Sequence, residues 1–420
     1  MTVQNFGDLH ITLSYLSPKS RRASSIIEPV TRTTMTAADT KNATSKKKSG
    51  NWQLLESSPF KRGFRALAFF ACIFALILQR QFSYSGDPFL FFFPNLLLFT
   101  PFRGTTKTLW NILVKYDKSQ RKRDPTPIPE MDAKDYTYEN LREMTNSFRS
   151  PAVIRGIFNG TPALKRWLEP GYLSSKALGD LEVPVIVNAT YGTRQNQREV
   201  MKFGEAYEEI LRNEKSPYYL FFPVMSREHM SGSGAGKLQR LREETNKVIK
   251  EDLELFRIFQ GFGEKNHSIY VGGQLILGRG QDDSEAGART TGTGWHCAPG
   301  NNWFAQVAGR KRWFFLDPKY SAYLQPLRNG VRSMETGTPH MAELQQYLPV
   351  QYADLEAGDL LYNPDWQWHT IKNYEGLSIG VPMREVIPRV AARNNAQYTA
   401  IVFINIFLEK FFGIIYGMAP

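Results

Sequence analysis

The sequence predicts a mainly β fold of the α+β class with flanking helices, preceded by a disordered tail and an apolar anchor. Three observations predict it. Strand patterning dominates from Tyr270 to Val386, where β-branched and aromatic runs are punctuated by Gly, Pro and Asn. Helical patterning is confined to stretches before residue 260 and to the C-terminus. An aromatic content of 13% with 24 prolines suits a sheet-rich body with many turns. At 420 residues the chain exceeds what one core usually fills, so one large domain with appended segments is expected.

Taken in order, residues 1–60 are rich in Ser, Thr, Arg and Lys, as in "SPKSRRASS" and "TSKKKSG", and are expected to be disordered. Residues 61–102 carry two apolar runs. The first, Ala66 to Leu78, has 13 residues, short of the roughly 20 that a membrane span needs. The second, Phe89 to Phe99, is broken by Pro94 and Asn95. Together they predict membrane association, with an apolar arm packed on the body as the alternative. Lys46 to Lys48, Lys61, Arg62 and Arg65 precede the first run, so a single-pass signal anchor would place the body in the ER or Golgi lumen. The basic cluster from Arg103 to Arg123 favours instead a two-pass hairpin or interfacial attachment, with the body facing the cytosol. Sequons at Asn159, Asn188 and Asn266 permit a lumenal body.

Residues 103–147, containing "RKRDPTPIPEMDAKDYTYENLREM", read as a basic, Pro-rich linker. In the domain that follows, residues 148–390, "PAVIRGIF" and "VPVIVNATYG" read as strands. "TPALKRWL", "KFGEAYEEIL" and "KLQRLREETNKVIKEDLELFRIF" read as helices. Residues 391–420 include "YTAIVFINIFLEKFFGIIYGM", apolar on most faces yet carrying Glu409 and Lys410, which predicts a helix packed on the body or pairing in a homodimer.

The net charge of +12 is local: residues 1–65 carry +7, residues 103–123 carry +6 and residues 66–102 are neutral, leaving the chain beyond residue 123 at −1. A near-neutral body argues against a nucleic-acid partner, because tracking phosphates requires a basic face. The two cysteines, Cys72 and Cys297, lie far apart and provide no disulfide framework.

Of six histidines, His296 and His369 stand in strand-like, aromatic settings, whereas His10, His229, His267 and His340 lie in tail or polar segments. Iron oxygenases hold their metal with two imidazoles and one carboxylate on one face. The stretches "TGTGWHCAPGNNWFAQVAGRKRWFFLDP" and "AGDLLYNPDWQWHTIKNYEGLSIGVPMR" resemble the metal-binding strands of JmjC and cupin-like (cupin-8 type) Fe(II)/2-oxoglutarate oxygenases. They are most similar to the asparaginyl hydroxylase group that inhibits the hypoxia-inducible factor. "PAVIRGIFNGTPALKRWLEP" and "MKFGEAYEEILRNEKSPYYLF" look like the entry region of the same family, so the resemblance spans about residues 148–390. It implies a double-stranded β-helix, a jelly-roll, built for Fe(II) and 2-oxoglutarate. It places the metal-ligand histidines at His296 and His369 and the 2-oxoglutarate contacts at Thr293, Lys311 and Asn302. An ammonium beside a hydroxyl would satisfy the distal carboxylate of a dicarboxylic acid away from water. An exposed "GRKRW" turn is the plainer role for Lys311.

One position departs from the pattern. Where the family reads His-x-Asp, this chain reads His296-Cys297-Ala298. Alternate residues share a face of a strand, so Ala298 takes the ligand direction and Cys297 points away. Asp282, Asp283 and Glu285, in "GRGQDDSEAGAR", are the nearby carboxylates that could substitute. Three functions follow: a hydroxylase of a protein or small-molecule substrate, a non-catalytic binding or scaffold protein at a membrane, and a halogenase-like oxygenase in which halide takes the carboxylate's place.

Overall fold

The computed structural model describes residues 122–188, 197–222, 235–255, 272–280, 292–324, 326–329, 333–336, 341–374, 376–385, 389–395, 398–400 and 402–403. Residues 1–60, both apolar runs, Asp282, Asp283, Glu285 and most of the C-terminal stretch lie outside them. Among the described residues no helix is long and apolar enough to cross a membrane.

Two mixed sheets, one of seven strands and one of ten, form the body. From residue 292 the chain passes back and forth between them. Gly292–Cys297, Lys311–Leu316 and Trp368–Asn373 belong to the seven-stranded sheet, and Asn301–Ala308, Leu360–Asn363 and Gly376–Glu385 belong to the ten-stranded one. Pairing is antiparallel throughout this set. The inner faces meet in one apolar cluster, with Phe304, Leu361, Ile276 and Tyr219 from one sheet against Trp313, Phe315, Ile371 and Ala353 from the other.

Each sheet also has a covered outer face. On the ten-stranded sheet, Trp303, Tyr362, Val381 and Met383 pack under helices. One of these, Phe203–Arg212, buries Phe203, Ala206, Tyr207 and Ile210, the spacing of a single helical face. Another, Ala235–Asp252, is fastened where Asp252 accepts from Trp167 Nε1 at 2.7 Å and Tyr172 Oη at 2.9 Å. On the seven-stranded sheet, Trp295, Cys297 and Trp368 form a cluster with Tyr398 and Val402 of the C-terminal segment. There Trp366 Nε1 donates to Thr399 Oγ1 at 2.9 Å. The described part of that segment therefore packs on the body.

The supposed linker 103–147 is not all linker. Thr126–Pro127 and Glu130–Asp132 add as parallel edge strands, and Tyr138–Met144 is a helix whose first turn is capped by Thr137 Oγ1 accepting from Asn140 N–H at 3.1 Å. Pro127 sits on an edge strand, where its missing N–H costs no ladder bond, so a Pro-rich composition concealed the pairing. The polar strand Gln197–Lys202 was likewise hidden by its lack of an apolar face; it is held by pairing with Glu182–Val187.

Candidate functional site

The site lies between the sheets and is built from two facing rows. On the seven-stranded sheet, His296 and His369 are cross-strand partners, with ring centroids 4.2 Å apart. On the ten-stranded sheet, Asn302 stands between Asn363 on one neighbouring strand and Arg384 on the other. Alternation fixes their direction. Trp303, Tyr362 and Met383 face the outer helices, so their neighbours Asn302, Asn363 and Arg384 face inward. The rows meet where the Asn363 amide lies 3.3 Å from His369 Nδ1.

Both imidazoles are held by their own strands. His296 Nδ1 lies 2.8 Å from the Gly294 carbonyl and His369 Nδ1 lies 2.8 Å from the Gln367 carbonyl. A carbonyl only accepts, so each Nδ1 carries the proton and each Nε2 keeps its lone pair. Trp313 stacks on His369 at 5.3 Å and is itself packed against Phe304 and Phe315. Burial first, and then the Arg384 charge, push His296 down to about 4 against the pull of its carbonyl bond. For His369, burial and the neighbouring His296 and Arg384 act the same way, so the pair is neutral near pH 7.

Thr293 joins this face through an irregularity. Simple alternation from His296 would turn a residue three positions back to the outer side. Between the pairs His369 with His296 and Ile371 with Thr293 the register shifts by one, a β-bulge in Gly292–Cys297. The extra residue brings Thr293 opposite the inward-facing Ile371. Its carbonyl accepts from Thr370 Oγ1 at 2.7 Å, while its own hydroxyl is buried without a partner.

Lys311 opens its strand directly after the turn at Gly309. That glycine has φ +68°, and a Cβ there would run into the Leu377 carbonyl, which explains the residue's identity. Arg310 remains outside in the turn, but Lys311 is 1% exposed, and its Nζ donates to Asn373 Oδ1 at 2.5 Å. The exposed-turn role is thereby excluded. Burial lowers the Lys311 ammonium to about 7. Its partner Asn373 is four residues along the strand from His369, about 13 Å at the usual strand rise.

Cys297 faces the outer cluster with Trp295 and Tyr398, and burial pushes its thiol up, so it takes no part in the site. Ala298 follows the end of the strand; its carbonyl accepts from Trp366 N–H at 2.9 Å and its side chain offers a methyl group. Among the described residues no three His, Cys, Asp or Glu side chains come together to hold a metal. Two imidazoles with free Nε2 atoms fit part of an iron site, but these residues do not complete one. The fit to 2-oxoglutarate is better, since a buried ammonium and a buried unpartnered hydroxyl, both donors, face the interior, and the Asn302 amide beside them can turn its NH2 inward.

Sequence reasoning missed Asn363, Asn373 and Arg384. The signal for Arg384 was its place in "GLSIGVPMRE", where Ile379, Val381 and Met383 mark the outer face and leave an arginine on the inner one. A separate surface groove lined by Pro127, Ile128, Glu130, Arg155, Tyr352 and Asp354 is a weaker candidate. Its charges are paired: Arg155 with Glu130 and Asp359, and Asp354 with Arg312.

A family model described as a cupin-like domain matches residues 139–383, a span that contains every residue of the site except Arg384, one position beyond it. Among curated proteins, no relative matches the chain.

Proposed function

This chain belongs to the cupin-like domain family, and on that premise we propose that its sheets close as a double-stranded β-helix that binds a 2-oxoglutarate-type dicarboxylate and acts as a ligand-binding module. Lys311 holds the far carboxylate and Thr293 adds a hydroxyl, with Asn302 near the histidine end. The observation that carries the reading is the burial of Lys311 with only a neutral amide beside it. A lysine at 1% exposure without an anionic partner is costly unless a ligand supplies the anion.

A second reading is supported by the neutral imidazole pair with both Nε2 atoms free: an Fe(II)/2-oxoglutarate hydroxylase acting on a protein or small molecule, its third ligand drawn from Asp282, Asp283 or Glu285. Iron would then supply oxygen activation, while Lys311 and Thr293 would orient the co-substrate. Calorimetry with 2-oxoglutarate tests both readings. Binding in the presence of a chelator, lost in Lys311→Met, supports the binding module. Binding that appears only after anaerobic iron loading, with turnover in the wild-type protein, replaces it with the oxygenase, and turnover that requires chloride indicates the halogenase-like variant. No binding under either condition removes Lys311 and Thr293 from the site. Membrane attachment through residues 61–102 is part of the proposal and rests on their hydropathy; alkaline carbonate extraction tests it.

A further inference from the structure

We propose that Arg384 takes over the electrostatic role of the metal, so that this site binds its dianion without a metal ion, one carboxylate on Arg384 and the other on Lys311. The inference rests on the dicarboxylate reading above and adds to it the second anchor and the absence of a metal requirement.

The case begins with unpartnered atoms. Along the two facing rows, Arg384 Nε, Asn302 Oδ1, Asn363 Oδ1 and His369 Nε2 are all sealed from solvent without a hydrogen-bond partner, and Thr293 Oγ1 is in the same state between them and Lys311. Buried polar atoms are nearly always paired, so five on one inner surface mark a volume that something polar fills. Arg384 Nε and Thr293 Oγ1 donate to an anion as they stand, and the two amides do so by turning their NH2 groups inward, which for Asn363 also presents its oxygen to the His369 Nδ1 proton. The sign of that occupant follows from the charges. Arg384 and Lys311 both lie on this inner surface, and no group of His, Cys, Asp or Glu among the described residues gathers there to hold a metal. The carboxylate in register with His296 is Glu335, on the strand away from the Asn302 row. A guanidinium offers a carboxylate two parallel N–H donors. It stands in register with Asn302, whose amide flanks the same volume.

The substitution pattern fits this exchange. A site with two neutral imidazoles, one carboxylate and a divalent cation carries a net charge of about +1. Here the carboxylate position is Ala298, and the same charge is supplied by the Arg384 guanidinium. Its field reaches both imidazoles. A divalent ion bound to them would be repelled by it, whereas an organic anion would be drawn in.

The test compares 2-oxoglutarate with 4-oxopentanoate, which has a methyl group where 2-oxoglutarate carries its keto-side carboxylate, by calorimetry on the full chain in a chelator. The wild-type protein is expected to prefer 2-oxoglutarate. Arg384→Gln should lose affinity for it by roughly thirtyfold or more and should bind the two compounds alike. Arg384→Lys, which keeps a charge without the two-pronged geometry, should fall between. A merely structural arginine would behave differently: Arg384→Gln would then unfold at lower temperature, whereas an arginine whose sealed Nε waits for a ligand should leave the ligand-free protein at least as stable when it is replaced. Unchanged discrimination in Arg384→Gln, or 2-oxoglutarate binding that strictly requires a divalent cation, overturns the proposal. If Lys311→Met still abolishes binding in that case, the dicarboxylate reading stands without it; if wild-type protein binds neither compound, both fall.

Discussion

The strand Lys311–Leu316 carries a charged group on each face, and the two are built in opposite ways. On the outer face Arg312 grips Asp354 with two hydrogen bonds of 2.7 and 2.6 Å, Tyr374 Oη donates to the same carboxylate at 2.8 Å, and the guanidinium stacks 5.0 Å over Tyr352. On the inner face Lys311 donates only to an amide, and Arg384 Nε, Asn302 Oδ1, Thr293 Oγ1 and His369 Nε2 have no hydrogen-bond partner. The outer constellation is closed: it satisfies itself and asks for no ligand. The inner one is open. The comparison teaches that charge alone does not mark a site, since both faces are charged; unmet hydrogen-bonding capacity in a sealed space does.

The largest effect expected on this comparison comes from the wall that seals the inner face. Trp313 is fully buried between Phe304, Phe315 and the His369 ring. Trp313→Ala should cost about 3–5 kcal/mol in chemical denaturation and should release the His369 ring from its present orientation. An effect near 1 kcal/mol would show that the interior is not packed as a core, and the open site would lose its sealed character.

The next effect is pH-dependent and belongs to Lys311. Its folded-state value, about 7, lies below its ordinary 10.5. The unfolded chain therefore holds a proton between those values that the folded protein does not, so folding stability rises with pH across that window. Lys311→Met should stabilise the ligand-free protein by a few kcal/mol at pH 7 and below, and the gain should fade toward pH 10. Ligand binding has the opposite slope: a dicarboxylate needs the ammonium, so affinity should weaken above about pH 7. A flat stability difference between pH 6 and 10 would mean that Lys311 stays charged through a partner outside the described residues.

The sequence made much of this site legible, for reasons that particular residues show. His296 and His369 stood in strand-like, aromatic settings that could be read directly, and the direction of the methyl group at 298 followed from strand alternation; Lys311, whose local pattern read as an exposed turn, was placed by resemblance. Thr293 could be placed only by resemblance, because its direction depends on a bulge that no local pattern announces. Arg384 and Asn302 meet across neighbouring strands far apart in sequence, and cross-strand register is fixed by the assembled sheet rather than by either strand alone. The fold was legible where one face was apolar, as in Phe203–Arg212, and illegible where pairing alone holds a polar strand, as in Gln197–Lys202.

The smallest effect should come from the closed side, and it is the control for the rest. Burial alone would raise the Asp354 carboxyl, but the hydrogen bonds from Arg312 and Tyr374 outweigh it and hold the group below the ordinary carboxylate range. A depressed carboxylate contributes stability above its unfolded value, and the contribution is lost as pH falls through the folded one. Both partners are about one-third exposed, at 37% and 35%, so solvent screens the pair. Asp354→Asn should cost about 1 kcal/mol at pH 7, and the difference from wild type should shrink as the solution is acidified below the carboxylate range. It should leave 2-oxoglutarate affinity unchanged, because the side chain faces away from Lys311 across the sheet. A loss of binding in Asp354→Asn comparable to that in Lys311→Met would mean that the two faces of the strand are coupled, and the distinction between a closed and an open constellation would no longer separate structure from site.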